Sequence, residues 1–245
     1  MRLADLVKTI ARLGSQPLHP LLVENHRQFG GERQYFGPLQ EYEFVVLDTE
    51  LTGFSHKRDE IVAIGAVRIR GLRIVCGETF YVVVRPDERF QTQSTLVHRL
   101  TPGELHKAAG MAEVLPRFIE FCGDAFLVGH FVRLDLEFIN RAVQRLMGGI
   151  LVTPYLDTMG LAMAYHDLLD GSSSDHDNRQ GVYTLAALSR EYGLPLFQEH
   201  NALQDALQTA YLFLFLIKRM RSHGLKTMND FLVAGRSRHT LWWPM

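Results

Sequence analysis

Glu43-Phe44-Val45-Val46-Leu47-Asp48-Thr49-Glu50-Leu51-Thr52-Gly53 is an apolar run that ends in acids. Its apolar part is too short for a helix and has the character of a buried strand. Side chains two positions apart on a strand share a face, so Asp48 and Glu50 leave the strand end together. Like charges at the rim of a hydrophobic sheet repel unless something neutralises them, and carboxylate oxygens suit hard divalent cations. The plain alternative is a strand end at which both acids face water.

Working outward from this strand, Ile61 to Ile69 and Ile74 to Val84 read as two further strands. Gly71 marks the turn between them and Pro86 the stop, which predicts an antiparallel meander. Helical spacing follows near Ala112 to Phe121, then a compact strand at Ala125 to Val128 and a helix over Arg133 to Met147. An extended segment at Leu151 to Leu156 leads to a helix over Thr158 to Leu169. Asp170 to Gly181 is rich in Ser, Asp and Gly and is expected to be an exposed, mobile loop. A short helix over Leu185 to Tyr192 ends at Gly193 and Pro195. The last long helix is expected to run from an Asn201 N-cap to about Ser222, with Leu203, Leu207, Ala210, Leu214 and Ile217 on its buried side.

Strands in a meander followed by alternating helices and strands predict an α/β domain, a mixed sheet flanked by helices, over residues 42–225. Residues 1–41 form an expected extension outside it: a helix through Leu3, Leu6, Val7, Ile10 and Leu13, a stop at Gly14, then an irregular arm. Residues 226–245 form an expected tail. Its Trp242 and Trp243 suit base stacking, partner binding or packing back onto the domain.

The 245 residues are 47% hydrophobic and 22% charged, an ordinary globular balance. A net charge of −1 argues against tight, non-specific coating of a duplex. It is compatible with an enzyme that holds a few nucleotides through bound cations. Two cysteines, Cys76 and Cys122, are too few for a disulfide framework. Arg2, Asp5 and Lys8 interrupt the first apolar residues as no signal peptide would, and the longest apolar run, Ala210 to Ile217, is far short of a membrane span. A cytoplasmic protein with no membrane partner is expected.

Two other segments join the first pair of acids. Asp135 lies where a buried strand hands over to a helix, the place at which ligands gather in open α/β sheets; a helix-start acid favoured by the macrodipole is the alternative. His200 precedes the Asn201 cap, and Asp205 sits near the first turn between apolar pairs, a poor place for an unpaired charge. Four carboxylates and a histidine from three segments make a two-ion site suited to in-line phosphoryl displacement, with His200 taking the proton from water.

Asp48-Thr49-Glu50 with Thr52-Gly53, Gly129-His130 with Asp135, and His200 to Ala206 together resemble the three motifs of the DnaQ-like exonucleases of the DEDDh type. That family includes the proofreading epsilon subunit of bacterial DNA polymerase III. The resemblance covers about Tyr42 to Ser222. It implies an RNase H-like fold, two Mg²⁺ or Mn²⁺ ions, and 3′–5′ hydrolysis to nucleoside monophosphates. It makes Asp48, Glu50, Asp135 and Asp205 the expected ion ligands and His200 the expected general base. Thr49, Leu51 and Thr52 are the expected contacts to the terminal nucleotide. Single-stranded 3′ ends are the implied substrate, and a DNA polymerase or other replication or repair protein the implied partner. An RNA-trimming enzyme of the same fold and a catalytically idle binding module are the rival readings.

Leu51 stands where the family commonly has Thr, Phe131 where it has Asn, and Leu134 where it has Phe. Phe131 is expected either to line the substrate cleft, stacking on a base or sugar, or to pack beneath the sheet end. Arg133 suits a phosphate contact or a solvated helix start, and His98 to Thr101 a segment beside the site or a bland turn into a helix.

Overall fold

The computed structural model describes residues 17–55, 57–86, 100–170, 182–198 and 200–235. The expected helix through Leu3 to Leu13, His98, the loop over 171–181 and the two tryptophans lie outside the described residues. Strands β1 (Phe44–Leu51), β2 (Ile61–Arg70) and β3 (Arg73–Arg85) form the expected antiparallel meander. Gly71 and Leu72 both adopt left-handed φ, 57° and 56°, so the tight turn sits where the glycine indicated. Beyond it the chain switches to parallel pairing. β5 (Phe126–Gly129) joins β1, β6 (Tyr155–Asp157) joins β5, and the two-residue β4 (Ala109–Gly110) closes the far edge beside β3. The sheet order is β4-β3-β2-β1-β5-β6.

Seven further elements flank or edge this sheet after the first strand: α2 (Pro102–Lys107), α3 (Met111–Cys122), α4 (Arg133–Met147), α5 (Thr158–Asp170), α6 (Leu185–Glu191), α7 (Ala202–Ser222) and α8 (Met228–Ala234). Alternation along β1 sorts two cores. Phe44 and Val46 face α5, α7 and α8, where Leu161, Phe213 and Phe231 are buried. Val45 and Leu47 face α3 and α4, where Phe118 and Phe138 are buried. Each such fully buried side chain contributes roughly 1.5–3 kcal/mol. No helix among the described residues is long and apolar enough to cross a membrane.

Three differences from the sequence reading have physical causes. The arm expected to be irregular contains helix α1 (Pro20–Phe29), and its Leu22 is fully buried in the α3–α4 core. Asn25 and His26 are buried on the same helix and tie it to the segment after α4. Asn25 Nδ2 donates to Thr153 Oγ1 at 2.6 Å, and His26 Nε2 lies 2.8 Å from the Ile150 carbonyl oxygen. Helix α8 was not expected, and α2 only as one reading of His98 to Thr101; both start with a capping box, Thr101 with Glu104 and Thr227 with Asp230. Thr101 therefore does begin a helix. On α7 the buried face is rotated from the expected one. Ala210 and Ile217 are buried as expected, together with Ala202, Ala206, Thr209, Phe213, Leu216 and Met220, whereas Leu203, Leu207 and Leu214 are only partly so.

The reason for that rotation is a close approach. Gly65 on β2 pairs with Asp48 on β1, and the first turn of α7 rests directly on it. A Cβ at Gly65 would lie 2.2 Å from the Ala202 carbonyl carbon and the Leu203 nitrogen, which are backbone atoms that cannot rotate away. Gly65→Ala should therefore cost about 1–3 kcal/mol or more, as overpacking against fixed atoms does. Gly77→Ala on β3, where nothing lies within 4 Å, is the control and should be neutral or slightly stabilising. Equal urea midpoints for the two variants would show that the helix does not depend on this contact.

Candidate active site

The strand β1 displays its even positions toward α7, so Asp48 and Glu50 follow Phe44 and Val46 onto that face. Asp205, in the first turn of α7, meets them there. One carboxylate oxygen from each of Asp48, Glu50 and Asp205 lies within 4.8 Å of the others, close enough to share one cation. All three donors are carboxylates, the set a hard divalent ion such as Mg²⁺ or Mn²⁺ takes.

Asp135 enters from the other side of the strand. The β1–β5 pairing ends at Val128, and beyond it Asp135 meets the β1 edge at Thr49. The Thr49 amide and hydroxyl both donate to Asp135 Oδ1, at 3.0 and 2.5 Å. Thr49 itself is buried, and its hydroxyl is thereby engaged within the protein. Thr52, expected beside a nucleotide, has its hydroxyl in the β1–β2 turn, donating to Asp59 Oδ1 at 3.0 Å and accepting from the Glu60 amide. Leu51 is partly buried against the α3–α4 core.

The electrostatics show how strongly these acids interact. Burial, then the charges of Asp135, Asp205 and Glu50, push the Asp48 carboxyl well above the usual range. Burial and the charges of Asp205 and Asp135 raise Glu50 to about 7. Burial also raises Asp135, against the Thr49 hydrogen bonds that favour its charged form. Without a cation the site holds protons near neutral pH, because four negative charges cannot be packed here unneutralised.

His200 and Asp205 are linked through the chain. His200 is exposed and left-handed, φ 65°, and its amide donates to Asp205 Oδ2 at 3.0 Å. The Asn201 amide donates to the same oxygen, while the Asn201 side chain caps α7 through Gln204 N, as expected. Phe131 is also left-handed, φ 57°, and half-buried; its amide donates to Asp157 Oδ1 at 3.0 Å. Arg133 is exposed and paired with Glu137 at 2.8 Å, the solvated helix-start alternative.

Two residues next to the acids carry more structure than sequence reasoning assigned them. Asp157 is fully buried at the end of β6 and accepts from both Phe131 and Met159 amides, while its charge adds to the pressure on Asp135. Its signal was an acid ending a short apolar strand, the same pattern as Asp48. His130 is held between Thr158 Oγ1 and the Tyr183 carbonyl oxygen, each at 2.9 Å. A carbonyl can only accept, so Nε2 carries a proton, while the Thr158 hydroxyl beside Nδ1 also donates to the Gly129 carbonyl oxygen at 3.2 Å. Burial drives this histidine down to about 4 and keeps it neutral, a brace rather than a proton carrier.

Comparisons with known proteins agree with this geometry. The sequence matches the exonuclease family RNase_T over residues 45–213. It is 37% identical over 248 residues to a DNA polymerase III subunit epsilon-like protein of Rhodobacter capsulatus, an alignment covering 96% of this chain and 33% of the relative. It is 32% identical over 187 residues to the PolC-type DNA polymerase III of Thermotoga maritima, covering 76% of this chain and 13% of that one. The chain thus spans a third or less of the length of these relatives. Among solved structures, E. coli Exonuclease I in complex with a dT13 oligonucleotide aligns with a TM-score of 0.62 at 17% identity, over 74% of this chain and 42% of that one. Exonuclease X in complex with 5′ overhanging duplex DNA aligns with a TM-score of 0.54 at 23% identity, over 78% and 99%. At these identities the structures establish a shared RNase H-like α/β fold. The match over most of the chain, on a sheet that gathers the motif acids at one strand end, makes this chain a member of the RNase_T exonuclease family, with a DnaQ-like domain.

Proposed function

We propose that this chain removes nucleotides one at a time from the 3′ end of single-stranded DNA, releasing nucleoside monophosphates. The observation that carries this reading is the meeting of Asp48, Glu50 and Asp205 within 4.8 Å, with Asp135 adjoining through Thr49. Asp48, Glu50, Asp135 and Asp205 would hold two Mg²⁺ or Mn²⁺ ions. When bound, these supply an activated water and charge stabilisation for both oxygens of the in-line displacement. His200 would accept the proton of the attacking water; its left-handed backbone, tied to Asp205, sets it at the approach to α7. The Phe131 ring, half-buried beside the second motif, would contact a base or sugar of the strand. The names of the polymerase III relatives support a cytoplasmic DNA polymerase as partner.

Activity on a labelled oligonucleotide should vanish with excess EDTA and return with Mg²⁺ or Mn²⁺. Asp48→Asn and Asp205→Asn should each abolish nearly all turnover in a folded protein. Parallel assays on matched single-stranded DNA and RNA test the substrate; faster RNA degradation, or robust hydrolysis in EDTA, would overturn the proposal.

As general base, His200 should contribute about 10²- to 10⁴-fold to kcat. His200→Ala should keep oligonucleotide affinity while kcat falls, and the rise in rate from mildly acidic to neutral pH should flatten. An unchanged kcat would reduce His200 to a loop residue.

The raised carboxyls also make stability depend on pH in a defined direction. Asp48, Glu50 and Asp135 bind protons more tightly folded than unfolded. Their contribution is thus fully present below the ordinary carboxylate range and is lost as pH rises through about 7, the Glu50 value. Metal-free protein should melt at lower temperature at pH 8 than at pH 5.5, and Mg²⁺ or Mn²⁺ should recover more of the loss at pH 8. In Asp48→Asn the pH slope should shrink. A slope that survives this substitution intact would point to groups elsewhere.

A further inference from the structure

A cleft of about 770 Å³ opens on the α3–α4 side of the sheet, the face opposite Asp48 and Glu50, and includes none of the site's acids. Its floor is apolar, with Ile61 and Val84 from β2 and β3 and Phe138 from α4. Its rim is cationic: Lys57 from the β1–β2 turn, Arg85 from the end of β3, and Arg141 and Arg145 from α4. Glu60 is the one acid among the lining residues, 3.7 Å from Arg145. Four cations against one acid is a local excess of positive charge in a chain whose net charge is −1. Such an excess in a low-dielectric cleft focuses field on an anionic ligand.

The cleft is physically joined to the first motif. Leu51 pairs with Ile61, and the Thr52 amide donates to the Glu60 carbonyl oxygen. The Arg141 guanidinium donates to the Asp59 carbonyl oxygen, and the Asp59 side chain accepts from the Thr52 hydroxyl. Arg141 is partly buried and stacks over Phe138 at 4.9 Å, so the packing of the cleft wall holds one cation in place. The volume lies in the range of small-molecule ligand pockets, enough for a nucleotide-sized segment.

We infer that this cleft binds backbone phosphates of the nucleic-acid strand upstream of the nucleotide being removed, an inference that rests on the exonuclease reading above. Phosphate contacts of this kind set register and affinity without reading sequence. They also explain how a chain with four acids at its catalytic centre and no overall positive charge retains a polyanion.

The test is binding rather than turnover. Fluorescence anisotropy of a labelled single strand of about 16 nucleotides, in EDTA across a salt series, compares the wild-type chain with Lys57→Gln/Arg85→Gln/Arg145→Gln. Each lost phosphate contact flattens the log–log salt dependence by about 0.7 for single strands, so the triple variant should lose about 2 from its slope and bind at least about 10-fold more weakly near 0.1 M salt. Glu60→Gln should move the other way and tighten binding, which keeps the proposal testable if the triple variant melts early. A dinucleotide, which carries a single internucleotide phosphate, should bind the wild type and triple variant equally. Unchanged slope and affinity, or an equal loss for dinucleotide and long strand, would overturn the assignment. So would a triple variant that loses nucleoside monophosphate binding but keeps the strand, since the cleft would then hold released product. If the wild type binds the strand in this charge-dependent way but hydrolyses none with Mn²⁺, the exonuclease reading fails and the phosphate-binding cleft stands.

Discussion

The approach of α7 to Gly65 is the contact on which the site depends. Gly65 pairs with Asp48 across β1–β2, so a sheet position without a side chain adjoins the first acid. Backbone can rest on backbone there, and the first turn of the helix brings Asp205 to carboxylate range of Asp48 and Glu50. Any Cβ at this point would lift the helix by more than the tolerance of a metal site, which is a few tenths of an ångström to about half an ångström. The rotated stripe on α7 follows from the same constraint. Small Ala202 and Ala206 face the sheet near Gly65, and larger Phe213 and Met220 fill the space farther along.

That contact also creates the chief electrostatic cost. Four acids converge where burial already disfavours charge, and the rest of the fold must hold them there. The two cores flanking β1 supply the apolar burial, and the starts of α4 and α7 supply partial positive charge to Asp135 and Asp205. Thr49 adds two hydrogen bonds to Asp135, and the His200 and Asn201 amides add two to Asp205. The scaffold is therefore stable enough to assemble the acids but leaves them short of cations. That imbalance is what suits the site to divalent ions.

How much of this could be read from the sequence followed the kind of signal each element carries. The meander, the turn at Gly71, α4 and the limits of α7 were legible because their apolar periodicity or their capping residues are regular. The acid cluster was legible because its members end apolar runs or interrupt apolar pairs, where a solvated charge is out of place. Helix α1 was not, because part of its buried face is polar: Asn25 and His26 are buried by hydrogen bonding, which leaves no hydrophobic stripe to count. Helix α8 was missed and α2 left as one of two alternatives because six or seven residues give barely two turns of pattern, although their capping boxes were present in the sequence. Asp157 escaped because a lone acid before a helix has the form of an ordinary cap. Its place at the end of a short apolar strand was the signal, and its burial and the second amide it accepts from Phe131 set it apart from such a cap.

Phe131 and His200 show a common device behind the two helix-borne acids. Each is a non-glycine residue in the left-handed region, at φ 57° and 65°, where side chains larger than Asn or Gly are uncommon. Each lies four or five residues ahead of an acid in a helix first turn, Asp135 or Asp205. In each the amide is held by a carboxylate: Phe131 by Asp157 Oδ1, His200 by Asp205 Oδ2. A left-handed residue reverses the chain sharply, so a segment arriving along the sheet end can turn directly into a helix pointing away from it. The family's usual Asn at position 131 adopts this conformation readily, whereas Phe adopts it at a cost on the order of 1–3 kcal/mol. The buried Asp157 offsets that cost by fixing the amide, so the turn that sets Asp135 survives the loss of the residue best suited to make it. The second motif of this chain thus takes its conformational support from the strand behind it rather than from the turn residue, and position 131 carries an aromatic ring four residues ahead of Asp135.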